Sequence, residues 1–254
     1  TCTGSVDIDG VVFHCHNRLG HGRINMTEAF ATSCNSYFIQ LMQDVGPRPL
    51  YQMTVNLGFD RSILLAPEFK TARAILPSLE ELQVPAALAN LSFGQGSLMA
   101  TPVHIAQLVG AVVNDGKLLR PNLILGTVDE HKQLTIDTPT PAQYAFSPET
   151  ARQLQQMMVA AVQDGATGQS ARPPLLGAGG KTGTAETGWV SGESGETAIQ
   201  SWFAGYYPAQ QPKYVIVVLA EDSGATNAKA TPAFKQICEE LYAYEFAMQR
   251  MNQP

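Results

Sequence analysis

A lysine followed by two hydroxyl side chains and a glycine stands out in the last third of the 254-residue chain. These residues are Lys181, Thr182, Gly183 and Thr184, in a stretch whose pattern predicts a strand. A lysine on a strand edge supplies a fixed positive charge, and its threonine neighbours can donate hydrogen bonds to a carboxylate. Gly183 lets a substrate backbone approach closely because it has no side chain. The run is therefore a candidate site for a substrate that carries a carboxylate and whose backbone approaches Gly183.

A second candidate is formed by Ser33, Cys34 and Asn35, at a predicted junction between two helices. A serine hydroxyl can relay a proton, and an asparagine amide can hold a substrate carbonyl. The alternative is structural, because serine and asparagine are also common in helix caps and turns. Neither this string nor the lysine run is specific by itself, since strings this short recur by chance.

Taken together, the two motifs resemble two of the three motifs of penicillin-binding proteins and serine β-lactamases. That set is S-x-x-K, S-D-N and K-T-G, and here the last two stand in this order, roughly 150 residues apart. Further segments resemble class B penicillin-binding proteins along nearly the whole chain. They are Gly20–Gly22, Ser92–Gly96 with Ala100–Pro102, Asn114–Gly116 and Trp202–Tyr206.

The resemblance implies an α/β fold of the penicillin-binding transpeptidase and β-lactamase type. An antiparallel sheet flanked by helices and a helical subdomain are expected. Residues 1–254 would form one transpeptidase domain, with a loop or hairpin region at 1–24, a mainly helical part at 25–175, and a sheet with a C-terminal helix at 176–254.

The activity that the resemblance implies is acyl transfer from peptidoglycan stem peptides ending in D-Ala-D-Ala. Penicillin and other β-lactams would acylate the same enzyme, and other cell-wall synthesis proteins would be partners. The expected location is the extracytoplasmic face of the bacterial cytoplasmic membrane, through an anchor upstream of this chain.

The same resemblance assigns roles to individual residues. Ser33 would pass a proton toward the leaving amine, and Asn35 would hold the amide on the acyl side. Lys181 would set the electrostatics at Ser33 and attract the substrate carboxylate. Thr182 and Thr184 would donate hydrogen bonds to that carboxylate, and the Thr184 N–H would form half of the oxyanion hole.

The chain departs from the family at the S-x-x-K motif, which supplies the nucleophile and its base. No serine in the sequence has a lysine three residues later. In the family this motif lies upstream of the matched segment, so we expect a fragment without its N-terminal strands and nucleophile helix, inactive alone. The missing strands would leave the Tyr214–Glu221 strand without a neighbour there. A bare apolar edge favours pairing with another chain, so self-association is expected.

Three cysteines near the N-terminus and one histidine suggest a metal site. The set is Cys2, Cys15, His21 and Cys34. Soft thiolates with an imidazole suit a closed tetrahedral zinc site, and some class B relatives carry zinc at matching positions. A disulfide between Cys2 and Cys15 is the alternative, natural in an exported protein. His14 and His16 are competing ligands.

Composition excludes several other classes. A hydrophobic fraction of 44% and a charged fraction of 15% indicate a chain that folds around a core. The net charge of −6 argues against nucleic acid or an anionic membrane surface as a partner. No apolar run approaches the roughly 20 residues that a membrane span needs.

The elements that must position these residues can be predicted from periodicity and caps. Expected helices are Asn25–Thr32 with a capping box to Glu28, a helix after Asn35 ended by Gly46 and Pro47, Pro102–Asn114, Ser147–Gly165 and Pro232–Met251. Expected strands are Gly180–Thr184, Ser201–Tyr207 and Tyr214–Glu221. His104 and Cys238 are expected in the core, and Glu186 in the cleft.

Two alternatives to a transpeptidase stay open on the sequence. One is a serine β-lactamase or β-lactam sensor of the same superfamily. The other is a non-catalytic, zinc-stabilised scaffold module of the cell-wall machinery, which the absence of an S-x-x-K serine would fit.

Overall fold

The computed structural model describes residues 1–136, 142–190, 197–222 and 229–251. The helices are α1 (Met26–Ala31), α2 (Asn35–Val45), α3 (Pro47–Asn56), α4 (Pro85–Ser92), α5 (Pro102–Val113), α6 (Pro148–Ala160) and α7 (Ala230–Met251). The strands are β1 (Ser5–Ile8), β2 (Val11–His14), β3 (Leu64–Ala66), β4 (Phe69–Lys70), β5 (Lys117–Leu118), β6 (Gly126–Val128), β7 (Leu134–Ile136), β8 (Gln143–Tyr144), β9 (Gly179–Val190), β10 (Thr197–Tyr207) and β11 (Tyr214–Asp222).

The central sheet consists of the three long strands near the end of the chain, in the order β11-β10-β9 and antiparallel throughout. Its register places Lys181 opposite Ala204 and Thr184 opposite Ser201. The three predicted strands are confirmed, although β9 continues past Thr184 to Val190. Strand β11 pairs with β10 on one side, and no strand in the described ranges covers its other side.

Two glycines allow β9 to lie flat beneath aromatic rings of β10. A Cβ built on Gly179 would stand 2.4 Å from the ring of Tyr206, and one on Gly180 would stand 2.4 Å from the ring of Phe203. Both rings are fully buried. The aromatic side chains therefore occupy the volume that side chains on β9 would need, and they fix β9 against β10.

Helices cover both faces of the sheet. Helix α7 packs on one face, where Phe234 contacts Phe203 with ring centroids 4.5 Å apart and Cys238 is fully buried. Helices α5 and α6 cover the other face through Val109 and Met158. The expectation that Cys238 lies in the core is confirmed. No helix in the described part of the chain is long and apolar enough to span a membrane.

The helical part begins with the predicted capping box, in which Asn25 and Glu28 bond each other's backbone N–H. Gly46 ends α2 as predicted, with φ of 83°, but α3 begins immediately after it at Pro47. Helix α4 likewise begins at a proline, Pro85. Neither α3 nor α4 is among the expected helices. Pro47 is expected only to end α2, whereas proline is also favoured at the first position of a helix.

His104 is a core residue, as expected. It is fully buried, its Nδ1 lies 2.7 Å from Thr101 Oγ1, and its Nε2 lies 2.8 Å from the Arg61 carbonyl oxygen. Both ring nitrogens therefore have partners, and the residue closes the first turn of α5.

Candidate active site and the adjoining cysteine cluster

The two motifs predicted to work together meet in the structure. Lys181 Nζ donates a hydrogen bond of 2.9 Å to Ser33 Oγ, across 148 positions of sequence. The ammonium also lies 5.9 Å from the centroid of the Phe30 ring, within reach of a cation–π interaction. Burial lowers the pKa of Lys181 to about 8. The lysine can therefore exist in both protonation states near neutral pH, which suits proton exchange with a serine.

Ser33 projects from a tight turn between α1 and α2. Its φ is 53°, in the left-handed region that non-glycine residues rarely occupy. The turn is held by backbone hydrogen bonds from Ser33 N to the Phe30 carbonyl and from Cys34 N to the Ala29 carbonyl. Strained backbone of this kind is frequent at functional sites, where the surrounding structure maintains it.

Asn35 is the first residue of α2 and lies beside the β1–β2 hairpin. Its Nδ2 donates to the carbonyl oxygen of His14 at 3.2 Å. His16 Nδ1 lies 3.2 Å from the carbonyl oxygen of Ser33. The end of the hairpin and the residues that follow it therefore contact the motif on both sides of Cys34, and one donor of the Asn35 amide is engaged there.

The other end of the site is the run after Lys181. Thr182 accepts from Lys181 Nζ both at its carbonyl oxygen, 3.1 Å away, and at its hydroxyl, 3.2 Å away. Thr184 is exposed. Gly183 lies opposite Trp202, and a Cβ there would come within 3.2 Å of the Trp202 Cβ.

Two residues that sequence reasoning did not assign also contact this run. Gln95 Nε2 donates to the Thr184 carbonyl at 2.9 Å, and the Thr182 hydroxyl lies 3.2 Å from that of Thr167. Gln95 belongs to the Ser92–Gly96 segment, which resembles class B penicillin-binding proteins. That resemblance could have pointed to Gln95 as a site residue. Thr167 stands in no motif. Glu186 is exposed on β9, and its predicted place in the cleft stays a prediction.

A cluster of four side chains lies directly behind the Ser33 turn. Its members are Cys2, Cys15, His21 and Cys34. Their ligand atoms all lie within 4.8 Å of one another, with 3.5 Å between Cys15 Sγ and His21 Nδ1 and 3.9 Å between Cys15 Sγ and Cys34 Sγ. The three cysteines are buried and all are free thiols, so the alternative Cys2–Cys15 disulfide is not formed.

The donors of this cluster suit a tetrahedral metal ion. Zinc–sulfur bonds of about 2.3 Å place tetrahedral sulfur ligands roughly 3.8 Å apart, close to the 3.9 Å between Cys15 and Cys34. Burial raises the pKa of Cys34 to about 12. A bound cation would have to displace that thiol proton, as metal binding to cysteine generally does. His14 and His16 lie outside the four-member cluster.

Comparison with known proteins identifies the family. The family model described as the penicillin-binding protein transpeptidase domain matches residues 6–239. That span includes both motifs and most of the described fold. The chain belongs to this family, and its helices around an antiparallel sheet are the α/β fold expected for it.

Curated relatives and solved structures agree with this assignment. The chain is 34% identical over 203 residues to peptidoglycan D,D-transpeptidase PbpA of Mycolicibacterium smegmatis, covering 79% of this chain and 39% of that protein. It is 29% identical over 225 residues to stage V sporulation protein D of Bacillus subtilis, covering 88% and 34%. The crystal structure of penicillin-binding protein 3 of Mycobacterium tuberculosis complexed with aztreonam superposes with a TM-score of 0.82 at 28% identity, covering 99% of this chain and 57% of that one. The chain thus spans well under half the length of these curated relatives.

Proposed function

We propose that this chain supplies the serine–asparagine and lysine–threonine sides of the active site of a peptidoglycan D,D-transpeptidase. The observation that carries the proposal is the 2.9 Å hydrogen bond between Lys181 Nζ and Ser33 Oγ. It joins the two motifs whose roles in acyl transfer are complementary, a proton relay and a cationic anchor. Residues 1–254 act in this proposal as one transpeptidase domain.

The geometry supports a division of labour among the site residues. Ser33 Oγ accepts a hydrogen bond from the Lys181 ammonium, so the hydroxyl proton of Ser33 is free to pass to a leaving amine. Asn35 stands at the start of α2 beside it and is suited to hold an amide of the substrate. Thr184 is exposed on β9, so its N–H is suited to an oxyanion and its hydroxyl to a carboxylate.

The substrate class follows from the charge and from the relatives. A cation with the exposed Thr184 hydroxyl on the same strand fits a C-terminal carboxylate, such as that of a stem peptide ending in D-Ala-D-Ala. Relatives are named peptidoglycan D,D-transpeptidases. Solved structures of neighbours include a complex with aztreonam and an imipenem acyl-enzyme complex. We extend both ligand classes, stem peptides and β-lactams, to this chain. These names also favour a transpeptidase over a β-lactamase, a β-lactam sensor or a scaffold module.

The proposed location is the extracytoplasmic face of the bacterial cytoplasmic membrane, together with other cell-wall synthesis proteins. This follows from the substrate, because peptidoglycan cross-linking takes place outside the cytoplasm.

The covalent step needs a serine that this sequence does not contain, since no S-x-x-K occurs in it. The chain alone should bind an acyl-D-Ala-D-Ala peptide weakly and form no adduct with labelled penicillin. NMR titration should show shifts at Thr184 and around Lys181 that are lost in Lys181→Ala and absent with the L-Ala-L-Ala peptide. A penicillin adduct would show that the nucleophile is misplaced, and equal shifts with both peptides would refute the substrate class.

We further propose that the cysteine cluster holds a structural zinc ion. When bound, zinc would cross-link the β1–β2 hairpin to Cys34 and so fix the turn that carries Ser33 and Asn35. The support is the set of three buried free thiols and one imidazole within 4.8 Å of one another.

Metal analysis of protein purified without added zinc tests this assignment. One zinc per chain is expected, falling to near zero in Cys15→Ala. Cys238→Ala is the matched control, because Cys238 lies in the core away from the cluster, and it should retain the metal. A stoichiometry near zero in the unmodified chain with its thiols protected from oxidation would overturn the zinc proposal.

A further inference from the structure

A ring of hydrogen bonds connects the Ser33 turn to Lys181 by a second route, through Thr167. Thr167 follows α6, and both its N–H and its Oγ1 donate to the carbonyl oxygen of Ala31 at 3.2 Å. The same Oγ1 lies 3.2 Å from Thr182 Oγ1, and Thr182 Oγ1 lies 3.2 Å from Lys181 Nζ. Lys181 then closes the ring at Ser33, two residues after Ala31.

When Lys181 is protonated, the direction of every bond in this route is fixed by chemistry. A lysine ammonium can only donate, and the carbonyl oxygen of Ala31 can only accept. The Thr167 proton therefore goes to Ala31, so the Thr167 oxygen must accept the proton of Thr182. The Thr182 oxygen is left with its lone pairs toward Lys181. Turning the Thr182 proton away from Thr167 would break the bond between the two hydroxyls.

The position of Thr167 is itself set by the core. The next residue, Gly168, donates its N–H to the Ala161 carbonyl at 2.9 Å. A Cβ on Gly168 would stand 2.7 Å from that carbonyl oxygen and 3.2 Å from the ring of Phe203. Thr167 is exposed, but the backbone next to it is held by buried groups. The position of its hydroxyl is therefore fixed.

We propose that Thr167 is a positioning residue that holds the Ser33 turn against the lysine strand and orients the Thr182 hydroxyl toward Lys181. This rests on the proposed function in that Lys181 and Ser33 are the groups positioned. One consequence concerns specificity. The Thr182 proton is committed to Thr167, so recognition of a substrate carboxylate falls to the exposed Thr184 hydroxyl and the Lys181 charge.

The test is the pKa of Lys181 in the 254-residue chain, measured by NMR on ¹³C-labelled lysine with Lys181→Arg for assignment. Thr167→Val removes the acceptor of the Thr182 proton, which can then turn toward the ammonium and weaken its solvation. The pKa of Lys181 should fall by about half a unit. Thr167→Ser should keep the original value. Thr127→Val, an exposed threonine on β6, is the control and should leave it unchanged.

A double-mutant cycle separates positioning from a general structural effect. If Thr167 acts through Thr182, adding Thr167→Val to Thr182→Val should change the pKa of Lys181 by less than about a tenth of a unit. The proposal is overturned if Thr167→Val alone leaves the pKa unchanged, or if it lowers the pKa equally with and without Thr182. No acyl transfer is measured, so failure here is distinct from failure of the transpeptidase assignment.

Discussion

Lys181 combines a charge with a largely buried position, and this has an energetic cost. Taking an ammonium out of water disfavours its charged form, and the bonds to Ser33 and Thr182 compensate only in part. The net result is a pKa of about 8. A lysine in this state is a cation that can be neutralised at little cost, which is a useful property for a group beside a proton relay.

The stability of the chain should therefore depend on pH through Lys181. The folded-state pKa lies below the ordinary value, so between about pH 8 and 10.5 the unfolded chain binds more protons than the folded one. The free energy of unfolding should rise with pH across this window, by up to about 3 kcal/mol. Urea titrations should give the free energy of unfolding of the wild type and of Lys181→Met at each pH. The value for the wild type should rise relative to that of the variant as pH rises. Parallel curves would contradict the lowered pKa.

At the residue scale, sequence predicted the site where residue type and spacing carry the chemistry. Ser33, Lys181 and the cysteine cluster were found in this way, and the structure brings each set together. Thr167 and Gln95 were not assigned a role. Each is a single polar residue in a connecting segment, and its function depends on which strand it approaches in the folded chain. Periodicity and local spacing contain no information about such an approach.

At the scale of elements, the contact between β9 and β10 depends on two positions of β9 that carry no side chain. Gly179 and Gly180 leave room for the rings of Tyr206 and Phe203, and these rings also contact the helices on the two faces. The register that presents Lys181 to Ser33 is thereby tied to the core. A slip by one residue would reverse the faces of the whole strand.

Replacing Gly180 with alanine should be costly, because its Cβ would overlap the buried ring of Phe203. The free energy of unfolding should fall by about 1–3 kcal/mol. Gly110→Ala in α5 is the matched control, because nothing lies within 4 Å of a Cβ there. It should be neutral or stabilise by about 0.5–1 kcal/mol, as alanine favours helix. Equal effects of the two substitutions in urea unfolding would refute the packing argument.

Element prediction succeeded where caps and periodicity agree, as in α1 with its capping box and α5 with Pro102 at its start. It missed α3 and α4, and at α3 the proline that was expected to end one helix begins the next. The end of β9 was also placed too early, at Thr184. The residues that follow do not alternate clearly, and their pairing with β10 extends the strand.

At the scale of the whole molecule, β11 has one side that no strand of the described residues covers, and its backbone donors and acceptors there are available for another strand. The central part of β11 is apolar, Val215–Ala220, and its side chains are half-buried. Nearby α7 exposes further apolar side chains, including Ile237 and Tyr244. Such an edge is a template for pairing between chains.

The 254-residue chain should therefore self-associate as its concentration rises. Light scattering should show a growing mean mass, and hydrogen exchange of the β11 amides should slow at high concentration. The amides of α5 serve as an internal control, because that helix lies on a covered face and should exchange at one rate throughout. A single monomeric mass at high concentration would contradict the prediction.

The separation of the contacting residues along the chain has a consequence for the order of folding. The cysteine cluster draws only on residues 2–34, whereas the contacts of the active site close loops of 148, 136 and 89 residues. Closing a longer loop costs more chain entropy and slows the step that depends on it. The hairpin and the Ser33 turn can therefore assemble first, as a platform formed from one short stretch of chain. The lysine strand reaches that platform last, so the site becomes complete only as the molecule finishes folding.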